Sequence, residues 1–130
     1  MKYLCLVYAE QEQIAALSDG EWDALIAENL DLCEDLRRSG HFVSAAPLDR
    51  VQTATTVRVR HGRPASTDGP FAETKEQLGG YYLIEARDQD EAVRIAGRIP
   101  GARFGSVEVR RLLAHDPRVP WDRWPSGARD

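Results

Sequence analysis

Hydrophobic and polar positions change their period along this chain, and each change marks an element. Residues 2–9 (KYLCLVYA) are dense in apolar and aromatic side chains and predict a first strand. The polar stretch 10–20 ends in Ser18-Asp19-Gly20 and predicts a loop leading into a helix. Over residues 21–39, Trp22, Leu25, Ile26, Leu32, Cys33 and Leu36 recur at helical spacings, which lays one apolar stripe along a long helix. Arg37 and Arg38 suit the negative end of that helix, and Gly40 stands where a left-handed C-cap is usual. Residues 41–46 predict a short strand stopped by Pro47. Residues 53–61 predict another, alternating Val57 and Val59 with Arg58 and Arg60, and after Gly62 the stretch 64–67 returns as a hairpin arm. Asp68-Gly69-Pro70 reads as a turn, and a strand over 81–86 follows the flexible pair Gly79-Gly80. A second helix starts at the N-cap Asp88, with Glu91 three residues on and Ala92, Ile95, Ala96 and Ile99 as its buried stripe. Pro100-Gly101 ends it, and residues 106–113 form the closing strand.

That order is a β-α-β-β-α-β ferredoxin-like plan with an extra hairpin, an α+β fold built on an antiparallel sheet. Two helices cover only one face of such a sheet. Leu4-Cys5-Leu6-Val7 and Tyr81-Tyr82-Leu83-Ile84 are nevertheless apolar in both alternation phases, so both faces require burial. A second copy of the same sheet covers the free face most simply, which predicts a two-fold homodimer.

The length of 130 residues suits one domain, expected over residues 1–113 and followed by a Pro/Trp-rich tail over 114–130. Seventeen basic against 21 acidic residues leave a net charge of −4, with no surplus of positive charge for a phosphate backbone, so nucleic acid is not an expected partner. The apolar runs are far shorter than the roughly 20 residues a membrane helix needs, and the opening strand lacks the layout of a signal peptide, so the expected location is the cytoplasm, away from membranes. Cys5 and Cys33 belong to no CxxC, and the three histidines are scattered. No metal, disulfide or cofactor is expected.

The stretch 67–82 (TDGPFAETKEQLGGYY) resembles the signature of the DGPF branch of the YCII-related family. The opening MKYLCLVY, the stretch 54–60 (ATTVRVR) and the stretch 102–110 (ARFGSVEVR) support that resemblance, which covers about residues 1–112. It implies a ferredoxin-like subunit in a dimeric α/β-barrel arrangement. It also implies a wide choice of roles, since one relative is a dechlorinating enzyme of aromatic degradation and other members are linked to sigma-factor proteins of the extracytoplasmic-function type. In YCII-type relatives a histidine on the first long helix, partnered by an aspartate, is the proposed acid–base pair. Counting back from the helix-ending glycine, that position is Asn29 here, and an amide cannot replace a titrating base.

Asn29 also stands out because it interrupts the apolar stripe. It either positions a substrate in a cleft between helix and sheet or satisfies itself on nearby backbone. Asp68 is the candidate acid or base at a pocket rim; its structural alternative is to bond backbone N–H groups in the turn. Glu73 and Lys75 join the candidate ligand-binding set through the signature, and Phe71 and Tyr8 as walls for an aromatic ligand. The function expected is binding of a small aromatic or lactone-like molecule between sheet and helices, with acid–base isomerase, lyase or hydrolase chemistry. The alternative is a non-catalytic dimeric module whose tail, with Trp121 and Trp124, contacts a protein partner such as a transcription factor.

Overall fold

The computed structural model describes residues 1–113. The tail over 114–130, with His115 and both tail tryptophans, lies outside the described residues. Strand β1 (Lys2–Glu10) lies inside a four-stranded sheet of order β2-β5-β1-β6, where β2 is Phe42–Pro47, β5 is Glu76–Glu85 and β6 is Gly105–Arg111. Every pairing in it is antiparallel. The long helix α2 (Asp19–Arg38) joins β1 to β2, and α3 (Gln89–Ala96) leads by a 3₁₀ turn (Pro100–Phe104) to β6. The ferredoxin-like α+β plan is therefore present, with the hairpin β3 (Thr55–Arg60) and β4 (Arg63–Asp68) inserted between β2 and β5 as a separate two-stranded sheet.

Strict alternation along β1 decides which side chains enter the core. Tyr3, Cys5, Val7 and Ala9 are buried, while Leu4, Leu6 and Tyr8 point to the other face and are half-buried. From β5, Tyr82 and Ile84 join the buried set; from α2, Leu32 and Leu36; and from α3 and its exit, Ala92, Ile95, Ala96 and Ile99. Trp22 departs from the expected stripe and is 43% exposed, because it lies on the flank of α2 rather than beneath it.

Local chemistry explains the helix ends. The Ser18 hydroxyl accepts from the Glu21 backbone N–H while the Glu21 carboxylate accepts from the Ser18 N–H, so α2 begins two residues before the expected start. At the other end Gly40 takes φ 81°, the Gly40 N–H reaches the Arg37 carbonyl and the His41 N–H reaches the Leu36 carbonyl, a Schellman closure. Ser18→Ala is expected to lower stability by about 1 kcal/mol in urea unfolding, with the slope unchanged.

Other boundaries also differ from the sequence expectation. A five-residue helix, α1 (Gln11–Ala15), occupies part of the expected loop. Helix α3 stops at Ala96, and the chain continues as 3₁₀ turn from Pro100. Strand β5 begins at Glu76, well before the expected Tyr81, so Gly79-Gly80 is strand and not a flexible lead-in. A register shift between Val7 and Tyr8 marks the bulge that absorbs the extra residue there.

Candidate functional site

The face of the sheet opposite the helices carries Leu4, Leu6 and Tyr8 from β1, opposed by Leu83, Tyr81 and Leu78 from β5. Ser44 of β2 shares this face, and its hydroxyl lies 3.0 Å from the Tyr81 hydroxyl. On the β6 side the same face turns polar through Ser106, Glu108 and Arg110. The result is a half-buried apolar surface with a charged margin.

At one end of this face lies a shallow, open cleft of about 580 Å³ lined by Tyr8, Thr74, Lys75, Glu76, Ser106, Val107 and Glu108. The Ser106 hydroxyl donates to Glu76 Oε1 at 2.8 Å, and Lys75 Nζ lies 3.6 Å from Glu10 Oε1. The loop feeding the cleft is shaped by its own side chains. Gln77 Nε2 donates to the Ala72 and Thr74 carbonyls at 2.9 and 2.8 Å, and the Thr74 hydroxyl donates to the Glu76 carbonyl at 2.6 Å. The signature residues thus fold a loop that delivers Lys75 and Glu76 to the cleft.

Of the six site residues expected from sequence, the cleft brings together Tyr8 and Lys75. Asn29 lies elsewhere, between α2 and the sheet. Its Nδ2 donates to the Leu25 carbonyl at 2.9 Å, and its Oδ1 accepts from the Tyr82 hydroxyl at 2.5 Å. Asp68 stands exposed at the end of β4, opposite Thr55. The turn after it is tied down by the Gly69 N–H on the Ala54 carbonyl and the Thr56 hydroxyl on the Gly69 carbonyl. Phe71 is 80% exposed, with the Arg58 guanidinium 5.9 Å from its ring centre, and Glu73 is exposed. Among the described residues no hydrogen bond or ion pair joins Asp68 to Asn29.

Glu76 drew notice only as one of the signature's run of charges, and Thr74, Ser106, Val107 and Glu108 are the cleft residues that sequence reasoning missed. Polar residues in a terminal strand read as a solvent face, and only the β1–β6 pairing sets Ser106 beside Tyr8. A second, smaller cleft of about 310 Å³ lies at the other end of the sheet and includes His41, Glu85 and Glu91. There His41 Nδ1 is 2.8 Å from the Glu85 carbonyl oxygen and 3.8 Å from Glu91 Oε1, a proximity that sequence spacing did not reveal.

The buried groups are poor nucleophiles. Burial pushes the Cys5 thiol up to about 11. Burial, and then the adjacent Cys33 thiol, push the Tyr82 phenol well above its usual range, so it remains a hydrogen-bond donor to Asn29 at neutral pH. Among the described residues no group of three His, Cys, Asp or Glu is placed to hold a metal ion, and no helix is long and apolar enough to cross a membrane.

Comparison with known proteins places this chain in a family. An uncharacterized protein of Rhizobium meliloti (strain 1021) is 34% identical over 119 residues, covering 90% of this chain and 96% of the relative. The solved structure of 5-chloro-2-hydroxyhydroquinone dehydrochlorinase from Burkholderia phenoliruptrix AC1100, in complex with 2,5-dihydroxybenzoquinone, aligns with 92% of this chain and 100% of its own. That alignment has 17% sequence identity and a TM-score of 0.47. The model of the YCII-related domain matches residues 1–118, and the chain belongs to the YCII-related domain family.

Proposed function

We propose that two copies of this chain pair through their open sheet faces and bind a small, hydroxyl-bearing aromatic molecule in the cleft at the end of each face. The observation that carries this reading is the cleft itself, an aromatic wall at Tyr8 set against Lys75, Ser106, Glu76 and Glu108. Lysine and serine offer donors and the two glutamates offer acceptors, a set that suits hydroxyl groups around a flat apolar ring. The half-buried Leu4, Leu6, Tyr81 and Leu83 favour a second sheet as the cover, which would also remove water from the cleft.

Proton transfer, where it occurs, runs through Glu76 or Glu108. Asn29 does not titrate, and both sides of its amide are already engaged by Leu25 and Tyr82. Asp68 and Phe71 act in this reading through the hairpin rather than in the cleft.

Two measurements test the proposal. Leu6→Asp places a carboxylate in the middle of the open face and is expected to turn a dimer into a monomer in sedimentation velocity, with helical content retained. Titration with simple phenols and aromatic carboxylates is expected to shift amide resonances at Tyr8, Thr74 to Glu76, and Ser106 to Glu108, and Lys75→Ala is expected to weaken that binding about tenfold. A chain that stays monomeric at every concentration sinks the pairing. Shifts confined to residues outside the cleft sink the site.

A further inference from the structure

The β3–β4 hairpin has no evident purpose within a single subunit. Both strands are exposed along nearly their whole length, and their packing is almost entirely on each other. A two-stranded ribbon standing alone in water is marginally stable at best, so a folded hairpin of this kind asks for a surface. Its two faces differ sharply. Val57 and Val59 occupy one, opposite Ser66 and Pro64, while Arg58, Arg60 and Arg63 occupy the other. Arg60 and Arg63 stand directly opposite each other, a like-charge cross-strand pair that costs stability unless an anion arrives. Among the described residues none of the three pairs with a carboxylate. Arg58 lies over the exposed Phe71 ring and Arg60 bonds the Val59 carbonyl. By contrast Arg37, Arg38, Arg98 and Arg103, on the helical side of the molecule, all hold carboxylates.

The complement is present on the same chain. Helix α2 carries seven carboxylates against two arginines. At about 100° per residue, Asp19, Asp23, Ile26 and Leu30 fall on one flank, roughly a third of a turn from the buried Leu25-Leu32-Leu36 stripe, with Trp22 beside them. Asp19 and Asp23 are exposed and Leu30 is 65% exposed, so this flank joins negative charge to uncovered apolar surface. The arginine face of the hairpin joins positive charge to an uncovered Phe71.

We propose that the β3–β4 hairpin is an intersubunit clasp whose arginine face, with Phe71, docks on the Asp19/Asp23/Leu30 flank of α2 in a second copy of this chain. The proposal rests on the reading that two copies associate. A second copy suits the surface better than a polyanion, because its α2 flank offers the exposed Leu30 to Phe71 as well as carboxylates to the arginines, whereas a polyanion offers charge alone. The docking gathers cation, anion and apolar surface from one sequence, and it is expected to weaken with salt.

The test is a charge swap in the full chain, read by sedimentation at low salt. Arg58→Glu/Arg60→Glu and Asp19→Lys/Asp23→Lys are each expected to weaken self-association at least tenfold. Their equimolar mixture is expected to regain wild-type association, since one contact then sets Glu against Lys and the other restores the native pair. Unchanged association in both variants, with Leu6→Asp still dissociating the wild type, overturns the clasp and leaves the sheet-to-sheet dimer standing. A wild-type chain monomeric at every concentration overturns both. Failure of the mixture to recover overturns this pairing of surfaces. So does an arginine variant that loses retention on immobilised heparin while associating normally, because its partner is then a polyanion.

Discussion

Gly105→Ala is expected to destabilise the protein by about 3 kcal/mol or more, the largest single effect foreseen for a one-carbon change here. Gly105 opens β6 opposite Ala9, at the point where β6 comes closest to the end of β1. A β-carbon there would run into the Tyr8 carbonyl oxygen and sit 3.0 Å from both the Ala9 Cα and the Tyr8 carbonyl carbon. The obstacle is space, since the backbone of β1 already stands where the methyl would go. Backbone cannot yield as a side chain can. β1 is bonded on both sides, to β5 and β6, so relief requires breaking the end of a ladder. The neighbouring glycines supply graded controls. At Gly101 the new methyl would meet only the Val7 Cγ1 at 2.8 Å, a side chain with some freedom, so a smaller loss of about 1–2 kcal/mol is expected. At Gly20, in the first turn of α2, nothing lies within 4 Å, and alanine is expected to stabilise by about 0.5–1 kcal/mol. Urea unfolding of the three variants checks the order. Gly105→Ala within about 0.5 kcal/mol of wild type would mean that β1 and β6 do not approach as closely as described. Because Tyr8 and Ser106 line the cleft, the folded fraction of Gly105→Ala is also expected to bind phenols weakly.

The dense apolar run in residues 2–9 and the helical spacing in α2 made the ferredoxin-like plan legible, because a short apolar strand and a 3.6-period stripe bury best against each other. The hairpin was legible too. His61 and Gly62, at φ 54° and 74°, supply the pair of left-handed residues that a tight two-residue turn demands. The start of β5 was not, because a glycine pair looks like a break when its neighbours are unknown. Gly80 is there because a β-carbon would lie 3.0 Å from the Ala46 carbonyl oxygen of β2, a constraint that exists only once the strands are paired. Helix α1 was equally invisible, being five residues with no side-chain cap. For the cleft, Tyr8 and Lys75 carried a signal through aromaticity and the signature stretch. Ser106 and Glu108, though inside a stretch that supports the resemblance, carried no signal as site residues, since a polar residue beside a valine in a terminal strand is what any solvent-facing edge looks like. Asn29 was legible as an anomaly on an apolar stripe, but its explanation is Tyr82, 53 residues away.

That pair allows a double-mutant cycle. Tyr82 is 5% exposed, and its hydroxyl finds the Asn29 Oδ1 at 2.5 Å inside the core between α2 and β5. Tyr82→Phe leaves the Asn29 oxygen without that donor, and Asn29→Leu leaves the phenol without an acceptor. Each is expected to cost about 1–3 kcal/mol, the penalty of a half-buried polar group stranded without its partner. Made together, the two changes replace a polar pair by an apolar one of similar shape, and the loss is expected to fall well short of the sum, with a coupling of about 1–2 kcal/mol. Additive losses would mean that the two side chains do not share a bond. An independent readout is the alkaline limb of stability. The phenol's pKa is raised in the folded chain, first by burial and then by Cys33, so its contribution is fully present below pH 10, the ordinary phenol value, and is lost as pH climbs towards the higher folded value. Cys5, which opposes Tyr82 across the strands and is held at about 11, adds its own loss above about pH 9. The contribution of Tyr82 is therefore the difference between wild type and Tyr82→Phe above pH 10. That difference vanishes only if the phenol is free to ionise in the folded chain, and in that case the hydroxyl is not the donor that fixes Asn29 and holds α2 against the sheet.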